Sequence, residues 1–125
     1  MILVVDDYDD ALVMYQDYLT FKGYNVITAR SGAEAITMAR VHKPQLILMD
    51  IEMPRMSGTE AMRTLRADRA FDQVPIVAFT AHALEDEKQA ARTAGFDEVI
   101  AKPCLLEELL AGVERLIATP RIQSS

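Results

Sequence analysis

Each of four short apolar runs in this chain ends in a residue that could do chemistry. Ile2-Leu3-Val4-Val5 runs into Asp6-Asp7, and Leu46-Ile47-Leu48-Met49 into Asp50. Ile76-Val77-Ala78-Phe79 stops at Thr80, and Val99-Ile100-Ala101 at Lys102. Three carboxylates gathered in one place repel one another and raise one another's pKa unless a cation intervenes. A hard divalent ion with oxygen ligands relieves this, and Mg²⁺ typically takes one or two carboxylates, waters and a phosphate oxygen. With a phosphoryl group added, Asp50 can attack phosphorus and become an aspartyl phosphate. Lys102 can pair with one phosphoryl oxygen while Thr80 donates a hydrogen bond to another.

These residues meet only if the runs that carry them end on one edge. Continuous apolar runs of strand length suit strands buried on both faces of a parallel sheet. Helical patterns fall between them. Leu12, Tyr15 and Leu19 recur at helical spacing before a stop at Gly23. Asn25–Ala29 reads as a second strand. Ser31-Gly32-Ala33-Glu34 and Ser57-Gly58-Thr59-Glu60 have the capping-box pattern and open helices carrying Ala35, Ile36 and Ala39, then Met62 and Leu65. Pro44 punctuates the way into the central strand, and Pro54 and Gly58 punctuate the loop beyond it.

After Thr80 a helix is expected to run to about Ala94, stopped by Gly95. Leu106, Leu109, Leu110, Val113, Leu116 and Ile117 form one apolar stripe on the last helix. Pro120 closes it, and Arg121–Ser125 reads as a frayed tail. Five strands alternating with five helices predict a doubly wound parallel sheet, whose carboxyl ends share one edge.

Composition narrows the function. A chain of 125 residues, half of them hydrophobic and 26% charged, is predicted to fold as one domain with its own core. A net charge of −6 argues against general nucleic-acid binding, which needs a basic face. The lone Cys104 excludes an internal disulfide and fits a reducing compartment. No apolar run approaches the roughly 18 residues of a spanning helix, and Asp6-Asp7 interrupt the N-terminal run where a signal peptide would stay apolar. A cytoplasmic protein that touches neither membrane nor nucleic acid is expected.

The four pieces Val4-Val5-Asp6-Asp7, Leu48-Met49-Asp50-Ile51-Glu52-Met53-Pro54 with Gly58, Thr80-Ala81 and Lys102-Pro103 are each commonplace. In this order and at these spacings they resemble the receiver domains of two-component response regulators, over nearly the whole chain. The resemblance implies a flavodoxin-like fold with strand order 2-1-3-4-5, an order shared with chemotaxis receivers. It implies a receiver over residues 1–119 followed by a flexible tail, 120–125. By matching position, Asp50 would be the phosphoacceptor, Thr80 the switch hydroxyl and Lys102 the phosphate-sensing amine. Asp7, Asp50 and the backbone carbonyl of Glu52 would hold Mg²⁺ (or Mn²⁺) directly, with Asp6 acting through water. The implied donor is a phosphohistidine on a sensor histidine kinase or phosphotransfer protein. The implied output is a changed affinity for a downstream protein that docks on the last helix, the fifth strand and the helix after Thr80. The chain would be a stand-alone receiver or a piece of a larger regulator or hybrid kinase.

One position departs from the family pattern. Three residues before Lys102, where Tyr or Phe usually stands, this chain has Val99. A β-branched aliphatic cannot swing into the space an aromatic ring vacates, so the signal is expected to travel through the loop and helix around Thr80–Leu84. Glu52 and His82, each two residues beyond a site residue, are expected to tune the phosphoryl lifetime, Glu52 by excluding or orienting water and His82 by covering the site. Simpler roles compete. Asp6-Asp7 could only start the next helix, Thr80 could only cap one, and Lys102 could be surface charge. For His82 the plain surface reading is the favoured one, as it is for His42, and Cys104 and the methionines read as packing. Two other functions use the same fold. One is a phosphatase or phosphotransferase turning over an aspartyl phosphate, with Glu52 as acid-base; no insertion is long enough for a substrate-selecting cap. The other is a flavin module, which would lack a phosphate-cradling loop after the first strand.

Overall fold

Along each central strand alternate side chains enter different cores. Ile2 and Val4, Leu46 and Leu48, and Val77 and Phe79 join one cluster with Leu12, Tyr15, Leu19, Leu109 and Val113. Their neighbours Leu3 and Val5, Ile47 and Met49, and Ile76 and Ala78 join the other, with Ala35, Ala39, Ala61, Met62 and Leu65. Successive strand side chains point to opposite faces, so apolar residues at every position demand helices on both sides.

The computed structural model describes residues 1–102 and 106–118. Its strands are β1 (Ile2–Val5), β2 (Val26–Ala29), β3 (Leu46–Asp50), β4 (Ile76–Thr80) and β5 (Glu98–Ala101). The helices are α1 (Asp9–Phe21), α2 (Gly32–His42), α3 (Gly58–Arg66), α4 (Glu85–Ala94) and α5 (Leu106–Ala118). All strand pairs are parallel, in the order β2-β1-β3-β4-β5. This is the flavodoxin-like arrangement. Helices α1 and α5 cover one face, α2 and α3 the other. Tyr15 of α1 stacks on Phe79 of β4, with ring centroids 5.3 Å apart. Pro103, Cys104 and the tail read at 120–125 lie outside the described residues.

Both capping Ser residues act as the sequence predicts: Ser31 Oγ accepts from the Glu34 amide and Ser57 Oγ from the Glu60 amide. Three features differ from expectation. Helix α4 begins at Glu85, not directly after Thr80, because Ala81–Leu84 form a loop whose amides turn back to the site. A 3₁₀ turn at Arg69–Phe71 precedes β4, capped by Asp68 and tied down by Arg66, which donates to the carbonyls of Phe71 and Val74 at 2.8 Å each. Helix α4 also buries none of its residues. Its acidic first turn, Glu85-Asp86-Glu87, suits a helix N-terminus, and the partly buried Ala91 and Ala94 pack it against the core.

The end of α4 is held by Gly95, at φ +135°, where a side chain is strained and where a Cβ would lie 2.8 Å from Met62 Sδ. Gly95→Ala is expected to destabilise the fold by about 1–3 kcal/mol, read as a lower urea midpoint with an unchanged m-value.

Candidate functional site

Register assembles the site. Val5 lies opposite Met49, so Asp6 and Asp50 leave adjacent strands side by side. Thr80 lies opposite Ala101, and the next residue, Lys102, donates its amide to the Thr80 carbonyl at 2.8 Å. Ligands bind in such folds outside the carboxyl ends of the strands where the order reverses, here between β1 and β3. The sequence-predicted residues converge there.

Among the described residues Asp6, Asp50 and Thr80 are the buried polar ones, at 2%, 3% and 4% exposure. Each aspartate is oriented by its own chain, Oδ1 of Asp6 accepting from the Tyr8 amide at 3.0 Å and Oδ1 of Asp50 from the Glu52 amide at 3.1 Å. The ammonium of Lys102 bridges them, 3.1 Å from Asp6 Oδ2 and 3.3 Å from Asp50 Oδ1. Asp7 is exposed, yet its carboxylate comes within 4.8 Å of those of Asp6 and Asp50. Asp6 thus bonds the Tyr8 amide just before α1 and pairs with Lys102, while the acids in the first turn of α1 are Asp9 and Asp10. Thr80 caps no helix, since α4 starts five residues later behind Leu84.

Charge is unbalanced here, with three carboxylates facing one ammonium. Burial pushes the Asp50 carboxyl up to about 6; the Lys102 charge pulls against that and the Asp6 charge adds to it. Burial disfavours the Lys102 ammonium, but its hydrogen bond to Asp6 and the charges of Asp50 and Asp6 outweigh it, and its pKa is raised. The donor set of hard oxygens with surplus negative charge fits a small divalent cation.

The loop after β3 must pass close to Asp50. Gly58 donates its amide to the Ile51 carbonyl at 3.0 Å. A Cβ at Gly58 would fall on the Asp50 carbonyl oxygen, with Asp50 C and Ile51 Cα each 2.9 Å away. Only glycine lets α3 start there.

Sequence spacing did not reveal where the Glu52 side chain goes. It turns across the strand ends, and Oε1 accepts from Thr80 Oγ1 and from the Ala81 amide, both at 2.9 Å. Thr80 Oγ1 also accepts from the His82 amide at 2.9 Å. The one available signal was a carboxylate two residues past Asp50, beside a hydroxyl-bearing strand end. His82 does not cover the site: its side chain is 71% exposed and Nδ1 sits 3.9 Å from Glu87 of α4. Val99 is buried in the α2–α3 cluster.

The model of the response regulator receiver domain matches residues 2–114. This chain belongs to the receiver-domain family. The polar-differentiation response regulator DivK of Brucella ovis is 36% identical over 102 residues, covering 82% of this chain and 83% of that protein. The chemotaxis protein CheY4 of Vibrio cholerae shares the fold with a TM-score of 0.87 at 30% identity, over 92% of this receiver and 96% of that chain. The receiver domain of the sensor histidine kinase PA1611 of Pseudomonas aeruginosa, a structure with magnesium coordinated in its active-site cleft, superimposes with a TM-score of 0.86 at 32% identity, over 94% and 97% of the two chains. Among the described residues of this receiver no helix is long and apolar enough to cross a membrane.

The raised Asp50 pKa fixes a pH signature for the metal-free receiver. Between about 4 and 6 the folded protein holds a proton on Asp50 that the unfolded chain has lost, so stability falls as pH rises through that window. Asp50→Asn is expected to flatten this slope and stabilise the metal-free protein at pH 7 by on the order of 2 kcal/mol, measured by denaturation in a chelator across pH 4–7.

Proposed function

We propose that this receiver domain accepts a phosphoryl group on Asp50 from a phosphohistidine of a sensor histidine kinase or phosphotransfer protein, and that the modification alters its affinity for a downstream protein. The observation that carries this is the near-complete burial of the Asp50 carboxylate at a sheet edge it shares with Asp6 and the Lys102 ammonium. No structural ion pair needs a surplus of acid held beside an open edge.

One Asp50 oxygen bonds to phosphorus as the donor's P–N bond breaks. The electron pair of that bond returns to the imidazole, which is released neutral once the proton balance is met by solvent. Lys102 is already within reach of the Asp50 carboxylate and turns to a phosphoryl oxygen; Thr80 donates to a second. Positioning and charge stabilisation account for the rate, as in other phosphoryl transfers. Asp7, Asp50 and the Glu52 carbonyl would hold Mg²⁺ directly, and Asp6 would hold it through water; Mn²⁺ could substitute. The bound ion supplies neutralisation of the phosphoryl charge. The cluster of oxygen donors supports this assignment, and the magnesium in the PA1611 receiver is in keeping with it.

The protein is a switch, not a turnover enzyme, catalysing only its own phosphorylation and dephosphorylation within a functional unit of residues 1–119. Its place of work is the cytoplasm, and α4, β5 and α5 form the docking face. Moving a two-state balance from 1:99 to 99:1 takes roughly 5.5 kcal/mol of differential stabilisation, which a dianion with new hydrogen bonds can supply.

Incubation with Mg²⁺ and a small phosphodonor, followed by intact-mass measurement, is expected to add one phosphoryl group to the wild type and none to Asp50→Asn. Chelation of Mg²⁺ or Lys102→Ala should slow labelling by at least about tenfold. An unlabelled wild type, or equal labelling of Asp50→Asn, would contradict the proposal.

A further inference from the structure

Two donors at the end of β4 converge on one point. Thr80 Oγ1 and the Ala81 amide both direct their hydrogens at a single oxygen, Glu52 Oε1, each at 2.9 Å. The hydroxyl accepts from the His82 amide at 2.9 Å, and of its two acceptors the Glu52 carboxylate at 2.9 Å is nearer than the His82 carbonyl at 3.3 Å. An N–H and an O–H aimed at one anionic oxygen constitute an oxyanion site, and hydrogen bonds to ionised acceptors are the strong ones. The site lies at the strand end next to Asp50, since Asp50 pairs with Phe79 across neighbouring strands about 4.8 Å apart. Thr80 itself is 4% exposed, so its hydroxyl is enclosed, whereas the Ala81 amide lies at the exposed rim of the site.

An anionic oxygen of this protein therefore already occupies the donors that the phosphoacceptor reading offers to a phosphoryl oxygen on Asp50. We infer that the Glu52 carboxylate is an internal competitor for the Thr80–Ala81 oxyanion site, which a phosphoryl group on Asp50 must evict before the loop can engage it. This rests on the phosphoacceptor reading above and adds to it the residue that sets its threshold. Eviction has a destination. A cleft of about 420 Å³ is lined by Glu52, Thr80 and His82 from the strand-end loops, by Arg63 from α3, and by Glu87 and Ala90 from α4. Helix α4 fully buries none of its residues and rests on the core through the small side chains of Ala91 and Ala94, so the start of the helix can respond when Glu52 lets go of Ala81. This supplies a path from Asp50 to α4 that does not pass through Val99.

A residue that merely supports the fold and a residue that competes for a site differ in sign. Loss of a supporting hydrogen bond weakens both the resting fold and ligand binding. Loss of a competitor weakens the resting loop and strengthens binding.

The test uses beryllofluoride with Mg²⁺ as the phosphoryl probe, followed by ¹⁹F NMR and calorimetry on the whole chain. Glu52→Ala is expected to bind the probe about tenfold more tightly than wild type, with Glu52→Gln, which keeps an acceptor and loses the charge, falling between. In a Thr80→Ala background the gain from removing Glu52 should shrink to about threefold, because one of the two contested donors is gone. In the metal-free protein without probe, Glu52→Ala should speed hydrogen exchange at the Ala81 amide and lower Tm. Binding of the probe to Glu52→Ala or Glu52→Gln at wild-type affinity or more weakly would overturn the inference while leaving the phosphoacceptor reading intact. The same tightening with and without Thr80 would also overturn it, since simple charge repulsion predicts that result. A wild type that takes up no probe, or an Asp50→Asn that takes it up equally, would overturn both.

Discussion

The burial of one carboxylate beside another is the constraint on which the rest of this structure depends. Asp50 is almost wholly removed from water, next to Asp6, with the ammonium of Lys102 as their shared counter-charge. Transfer of a charge out of water is costly unless it is paired and hydrogen-bonded. Each local feature of the edge answers that cost in part: the Glu52 amide on Asp50, the Tyr8 amide on Asp6, and the ammonium between them. The response is incomplete, and the Asp50 carboxyl stays pushed up to about 6. A site left short of positive charge is poised to gain from a cation and from a group that the cation and Lys102 can hold together.

The parallel sheet makes this possible without long-range adjustment. Register alone sets Asp6 beside Asp50 and Lys102 one step past the partner of Thr80. The cores on the two faces then hold the strands, so the carboxylates cannot move apart to relieve their repulsion. Gly58 completes the arrangement, because a side chain there would strike the Asp50 carbonyl. The start of the Ala81–Leu84 loop is tied to the site through Glu52 and Thr80, and α4 beyond it touches the core through the partly buried Ala91 and Ala94. Under the proposed function, this division separates the chemistry at Asp50 from the part of the molecule that would report it.

Much of this was legible in the residues. The apolar runs and capping serines marked the strands and helices because burial on two faces and N-terminal capping leave direct traces in sequence. The convergence of Asp6, Asp7, Asp50 and Lys102 followed from strand ends alone. What escaped depended on side-chain direction and on weak local signals. Glu52 was read as a guard against water, since spacing says which residue is near but not which way its carboxylate swings. Of the two readings of His82, surface residue and cover, the favoured first one fits: its ring is exposed near Glu87 and its backbone alone bonds to the site. The late start of α4 at Glu85 was hidden because its residues carry no apolar stripe to date the first turn. The turn at Arg69–Phe71 is built by the Asp68 side chain and by Arg66 reaching across five and eight residues, contacts that no periodicity records.

The central claim is that Asp50 forms an acyl phosphate, and its chemical identity can be read directly. Borohydride reduction of the protein after exposure to Mg²⁺ and a small phosphodonor converts an aspartyl phosphate to homoserine, which peptide sequencing by mass spectrometry then locates. The account predicts homoserine at position 50 and nowhere else. Homoserine at position 6 or 7, or none at all from a protein that has gained a phosphoryl group, would contradict it.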